Sequence, residues 1–289
     1  MLTKKSAASG PEAKKKILQL FESFRYKHTV HEVFSDFCQL AACTISNAVD
    51  RHQYKYREEL YMRIISRYTK EEADTFAQIL AWLVIALEAY GPTDVLGQVF
   101  QELEISSKYR GQFFTPQAIS DCVGTMIAFD VKETIKEKGY VTLCEPAVGG
   151  GSMVFGFCKA IAEQGFDYTR DLHVTAIDID DRCANMAYVQ MSLLGIPAIV
   201  YHGDTLQVQA RSAWYTPAHI LSGWSFRLER SQECQTQSGN LPAINEHTFS
   251  ETALTELLGE LTLPDSSIAE EAENTESVYA SSQSAQLLP

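Results

Sequence analysis

Residues 143–151 read Leu-Cys-Glu-Pro-Ala-Val-Gly-Gly-Gly and follow the apolar run from Tyr140 to Leu143. An acid ending a strand, a glycine turn and then a helix-forming stretch from Ser152 can cradle an adenosine-containing ligand. Glycine lets the backbone approach a ligand closely, and the helix start behind it offers free N–H groups. The strand Val174-Thr175-Ala176-Ile177-Asp178 ends in a second acid, whose oxygens can accept from both ribose hydroxyls. Asp204, beyond a third strand, can accept from an adenine amine or simply close a turn with Gly203. Asp180 and Asp181 suit the cap and first turn of the helix that follows them. The dinucleotide fingerprint fits poorly, because Val154 stands where its third small residue belongs.

These groups need a framework, and the apolar spacing supplies one. Residues 12–104 carry helical periodicity, with Phe21, Phe24, Val30, Val33, Phe34, Phe37 and Leu40 in one set and Phe76, Ile79, Leu80, Leu83 and Leu87 in another. Breaks fall near His28-Thr29, Asp50-Arg51 and Gly91-Pro92. A loop over 105–118 precedes a helix to about Ala128. From Tyr140 the expected order is strand 140–145, helix 152–164, strand 172–178, helix 180–194 and strand 198–202. That alternation predicts an α/β fold with a parallel, Rossmann-like sheet and right-handed crossovers. Residues 205–228 are ambiguous, and the sheet looks short. The division is thus a helical domain over 1–104, an α/β domain over 105–230 and a tail over 231–289.

The 289 residues carry a net charge of −13, distributed unevenly. Residues 231–289 hold ten acids and no Lys or Arg, and their Ser, Gln, Glu and Thr content predicts disorder. One stretch differs. Leu254, Leu257, Leu258 and Leu261 among glutamates predict an amphipathic helix over 251–263, covering the sheet edge or docking a partner. Residues 1–70 carry thirteen basic against seven acidic residues, so DNA is expected to favour this end and be repelled by the tail. The seven cysteines include no Cys-x-x-Cys pair, so neither zinc nor any other metal is expected, nor a disulfide framework. With no secretory signal and no apolar run longer than nine residues (Ile79–Leu87), a cytoplasmic protein with no membrane association is expected.

Two further runs extend the pattern: Thr93-Asp94-Val95-Leu96-Gly97-Gln98-Val99-Phe100-Gln101-Glu102-Leu103, and Arg110 followed by Gly111-Gln112-Phe113-Phe114-Thr115-Pro116. With Glu145–Gly151, Asp178 and the helix ending at Gly195-Ile196, they resemble the modification subunits of type I restriction–modification systems, N6-adenine DNA methylases. The resemblance covers roughly Thr93 to Asp204 and implies S-adenosylmethionine as cofactor. It assigns Gly111, Gln112, Phe113, Phe114, Thr115 and Pro116 to the methionine part. It assigns Glu145, Pro146, Ala147, Gly149 and Gly151 to the carboxylate end, Asp178 to the ribose and Asp204 to the adenine. It also implies a partner, either a specificity or methylase subunit or a second copy.

The family's catalytic Asn/Asp-Pro-Pro-aromatic motif is missing, since the chain contains no Pro-Pro. That motif accepts the two N6 hydrogens and stacks on a flipped base. In its place stands Trp214-Tyr215-Thr216-Pro217-Ala218-His219. Tyr215, Thr216 and Pro217 are the catalytic candidates, with a strand-terminating turn as the alternative and His219 as a satisfied core histidine. The expected function is adenine-N6 methylation of DNA. The alternative is an inactive methylase-like protein that binds cofactor or DNA and acts through a partner. A third expectation is methyl transfer to a protein amide or RNA.

Overall fold

The computed structural model describes residues 8–103 and 115–237, within the first of two compact units, Met1–Ala243; the second, Ile244–Pro289, lies outside the described residues. Five helices come first: α1 (Gly10–Glu22), α2 (Val30–Val49), α3 (Tyr54–Ile65), α4 (Lys70–Tyr90) and α5 (Val95–Glu102). Their caps are written in the sequence. The Ser9 side chain accepts from the Glu12 amide, and Thr69 and Glu72 form a reciprocal capping box at α4. The expected breaks fall where His28-Thr29, Asp50-Arg51 and Gly91-Pro92 placed them; a fourth, before Lys70, was not foreseen. Phe21, Phe34 and Phe37 meet at the centre, and Phe24 stacks on Phe76 at 5.1 Å. By length and composition α4 could cross a membrane. It turns Phe76, Ile79, Leu83 and Leu87 into this core.

Then come α6 (Gln117–Ile127), α7 (Val131–Lys138), β1 (Val141–Glu145), α8 (Ser152–Glu163), α9 (Tyr168–Asp171), β2 (Leu172–Asp178), α10 (Asp181–Leu193) and β3 (Ala198–Asp204). They end with β4 (Gln209–Tyr215), α11 (Pro217–Leu221) and α12 (Trp224–Gln237). The strand order is β1-β2-β3-β4, with the first three parallel and β4 antiparallel to β3. The departure from an all-parallel sheet has a simple cause: four residues separate β3 from β4, far too few for a crossover but enough for a hairpin. Helix α12 also runs past the point where composition predicts disorder.

One hydrophobic core runs from Ala13 to Trp214 through both regions. Arg57, 3% exposed, seals the β4 edge. It donates to the Ala213 carbonyl at 2.8 Å, pairs with Asp50 at 2.7 Å, bonds Ser46 and lies 4.2 Å over the Trp214 ring. An edge strand is thereby capped by a paired cation instead of being left open. On the opposite flank, α6 and α8 cross backbone to backbone. A Cβ on Gly156 would lie 2.1 Å from the Ser120 carbonyl oxygen, and one on Gly124 2.3 Å from the Gly156 carbonyl carbon.

His173 of β2 and His219 of α11 are each 2% exposed and hydrogen-bonded to each other at 2.9 Å, with His219 also bonded to Ser225 of α12. Trp224 packs on His173 at 5.2 Å and on Tyr140 at 5.1 Å. Burial pushes His173 down to about 3 and His219 to about 4, so both rings are neutral at pH 7.

Two outcomes follow from these contacts. Gly156→Ala removes a poor helix former, which in open space stabilises by about 1 kcal/mol. Here the clash with Ser120 dominates, and a loss of about 1–3 kcal/mol is expected in chemical denaturation. A gain in stability would contradict the close crossing. For the buried pair, imidazole NMR should show two of the seven histidines still neutral at pH 5. Folding holds their pKa values below those of the unfolded chain, so the fold keeps its full stability above the ordinary histidine range and loses stability as the pH falls towards 4. Titration of all seven near 6.5 would contradict the burial.

Candidate functional site

The C-terminal ends of β1, β2 and β3 lie side by side, and each delivers one of the acids singled out above. Asp178 is the hub. Its Oδ2 accepts from the Gly149 amide at 2.8 Å and its Oδ1 from the Asp180 amide at 2.9 Å. The Val148 amide donates to the Ile177 carbonyl at 2.8 Å, which extends the β1–β2 contact into the turn. Gly149 and Gly151 sit at φ +54° and +101°, a region closed to most side chains. Gly151 is the N-cap of α8 and supplies no side-chain acceptor, so the first-turn amides there keep their donors.

Glu145 accepts from the Ala147 amide at 3.2 Å, and burial together with the nearby Asp178 charge raises its pKa above the ordinary carboxylate range. Burial raises that of Asp178 too, against the two amides that lower it. Pro146 and Ala147 are exposed, and the Pro146 carbonyl accepts from Thr205 Oγ1 at 2.6 Å, which ties the loop after β3 to the β1 turn. Asp204 Oδ1 accepts from the amides of Leu206 and Gln207 at 2.9 and 3.1 Å. The turn foreseen as its alternative role is therefore formed.

Asp180 and Asp181 do what their positions suggested: Asp180 accepts from the Arg182 amide as the cap of α10. Thr115 and Pro116 are exposed immediately before α6. Gly111, Gln112, Phe113 and Phe114 lie outside the described residues, as does the expected helix over 251–263. Helix α6, which follows Pro116, is packed closely on α8 through Gly124 and Gly156.

The stretch after β4 is structural. Thr216, fully buried, accepts from the Ala198 amide and donates to the Ile196 carbonyl, both at 2.9 Å, and it caps α11 through the His219 amide. Trp214, 3% exposed, is held between Arg57 and the Tyr188 ring. Pro217 begins α11, and Tyr215 is half-buried with its ring 5.2 Å from His219. The hydroxyl of Thr216, one of the catalytic candidates, is thus engaged by backbone groups of its own fold. The terminating turn is the role that the geometry matches, and His219 is the satisfied core histidine anticipated.

Sequence reasoning missed Arg57, whose contacts with Ala213 and Trp214 are remote in sequence, and Gln190, whose partners Asp94, Leu96 and Gly150 are too. Asp94 was legible in part, since an acid three residues ahead of Gly97 is a helix-cap signal.

Residues 93–232 match the family model described as N-6 DNA Methylase. Over 91 residues the chain is 28% identical to the uncharacterized protein YtxK of Bacillus subtilis (strain 168), a stretch covering 32% of this chain and 26% of that protein. The chain thus spans about a quarter of the curated relative it matches. A crystal structure from Listeria monocytogenes, described as a class I S-adenosylmethionine-dependent methyltransferase, aligns over 71% of this chain and 67% of its own at 12% identity and a TM-score of 0.37. The segment from Thr93 to residue 232, just under half of the chain, is thus similar to the N-6 DNA methylases.

Proposed function

We propose that the ends of β1, β2 and β3 bind S-adenosylmethionine and that the protein takes part in adenine-N6 methylation of DNA. The observation that carries this is the Asp178 carboxylate, bonded through one oxygen to the glycine turn and through the other to the start of α10. Each oxygen has used one acceptor site and keeps another, which suits a ribose diol. The donor set fits the cofactor elsewhere too. The glycine turn and the uncapped start of α8 suit a carboxylate, and Asp204 Oδ2 makes no bond among the described residues and suits an adenine amine.

When bound, the cofactor supplies a methyl group on a sulfonium, an electrophile that needs little acid–base help. The chain's own residues do the positioning. Asp178 fixes the ribose, the turn sets the approach to the methionine end, and Thr115-Pro116 ends the loop assigned to the same moiety. Positioning of this kind accounts for much of the rate in transfers between two bound partners.

The burial of Thr216 and Trp214 favours a second reading, in which the chain holds cofactor while another chain supplies the groups that accept the N6 hydrogens. DNA is engaged through the basic N-terminal region in both readings, and a cytoplasmic site of action suits both.

The deciding assay incubates the purified protein and S-adenosylmethionine with adenine-rich DNA from a host lacking adenine methylation. Formation of N6-methyladenine above the cofactor-only control is the expected result. Its absence, with cofactor binding retained, removes the catalytic reading and leaves the partner-dependent one.

A further inference from the structure

The run from Thr93 to Leu103 carries part of the resemblance, yet the cofactor reading gives it no task. Asp94, 3% exposed, caps α5 by accepting from the Gly97 amide at 2.7 Å. The same oxygen accepts from Gln190 Nε2 at 2.9 Å. Gln190 is fully buried in α10, and its amide is divided three ways. Its Oε1 accepts from the Leu96 amide, while Nε2 also donates to the Gly150 carbonyl, both at 2.9 Å.

The Gly150–Gly151 peptide is thereby held at both ends, because the Gly151 amide donates to the Val148 carbonyl at 2.8 Å. Contact is tight throughout: a Cβ on Gly150 would lie 2.3 Å from Asp94 Oδ2, and one on Gly97 2.0 Å from the same atom. Behind this junction, α5 is part of the helical core. Phe100 packs on Phe34 at 5.2 Å, and Lys14 of α1 bonds Gln98 and Glu102.

A polar cluster this deeply buried is an expensive way to join two elements; apolar packing does so at lower desolvation cost. What polar groups add is orientation, and this cluster orients one carbonyl of the glycine turn. We infer that Asp94 and Gln190 are positioning residues that make the shape of the Gly149–Gly151 turn, and so its affinity for cofactor, depend on the docking of α5 against the helical region. The inference rests on the cofactor reading above. It assigns the helical region a regulatory part: whatever loosens α5 loosens the turn, and by linkage bound cofactor tightens α5.

Hydrogen exchange and calorimetry on the full chain test this. In the wild type, adding S-adenosylmethionine should slow amide exchange over residues 94–100 as well as 146–152. Gln190→Met keeps the volume and removes the hydrogen bonds. With wild-type circular dichroism it should exchange faster over 146–152 and bind cofactor about tenfold more weakly. Asp94→Asn keeps both accepted bonds and should stay close to wild type in both respects, a rescue that a loss of mere packing does not explain. Unchanged exchange over 146–152 in folded Gln190→Met overturns the inference. Should that variant fail to fold, wild-type binding without protection over 94–100 overturns it equally. Failure of the wild type to bind cofactor sinks the cofactor reading instead, while exchange over 146–152 still judges the strut.

Discussion

The bond from the Gly149 amide to the Asp178 carboxylate is the contact on which the candidate site depends. It joins the ends of two parallel strands through a turn in which Gly150 has no room for a side chain, and it fixes an acid beside the turn's backbone. Neither partner keeps this place alone. Glycine is entropically costly to order, and a half-buried carboxylate is costly to desolvate. Each offsets part of the other's penalty, and each Asp178 oxygen keeps an acceptor site for the ribose proposed above.

The sheet is asymmetric in a way that bears on function. Its β4 edge is closed by Arg57 and the helical region, whereas β1, which carries the glycine turn, lies at the other end of the strand order. In doubly wound sheets ligands bind where the strand order reverses, with strands on both sides of the crevice. Among the described residues only one side of that crevice is built. The missing Pro-Pro motif and the burial of Thr216 go with this one-sided build, and they are what favours the second reading, in which another chain completes the site.

How much of this the sequence disclosed follows from the range of each interaction. The breaks near His28, Asp50 and Gly91, β2 over 172–178 and the cap at Asp180 rest on neighbours in the chain, and they were legible; the capping box at Thr69 and Glu72 is as local, yet the break it marks was missed. The β4 hairpin was ambiguous, because Gln209–Tyr215 shows no clean alternation and its free edge is met by Arg57, 156 positions away from Ala213. The site divides the same way. Glu145, Gly149, Gly151 and Asp178 announce themselves by lying at strand ends. Gln190 looks like an ordinary helical glutamine until the fold brings Leu96 and Gly150 to it. The bonds of Thr216 were hidden for a related reason, since its hydroxyl is engaged by Ile196 and Ala198 across a strand end.

The central claim is that the three strand ends hold S-adenosylmethionine with Asp178 on the ribose. Calorimetric titration of the cofactor into the wild type and Asp178→Ala tests it most directly. The account predicts saturable binding by the wild type and affinity weaker by at least about tenfold in the variant, the effect of losing a charged acceptor for two hydroxyls. Equal affinity in both proteins, or no heat of binding in a folded wild type, would contradict it.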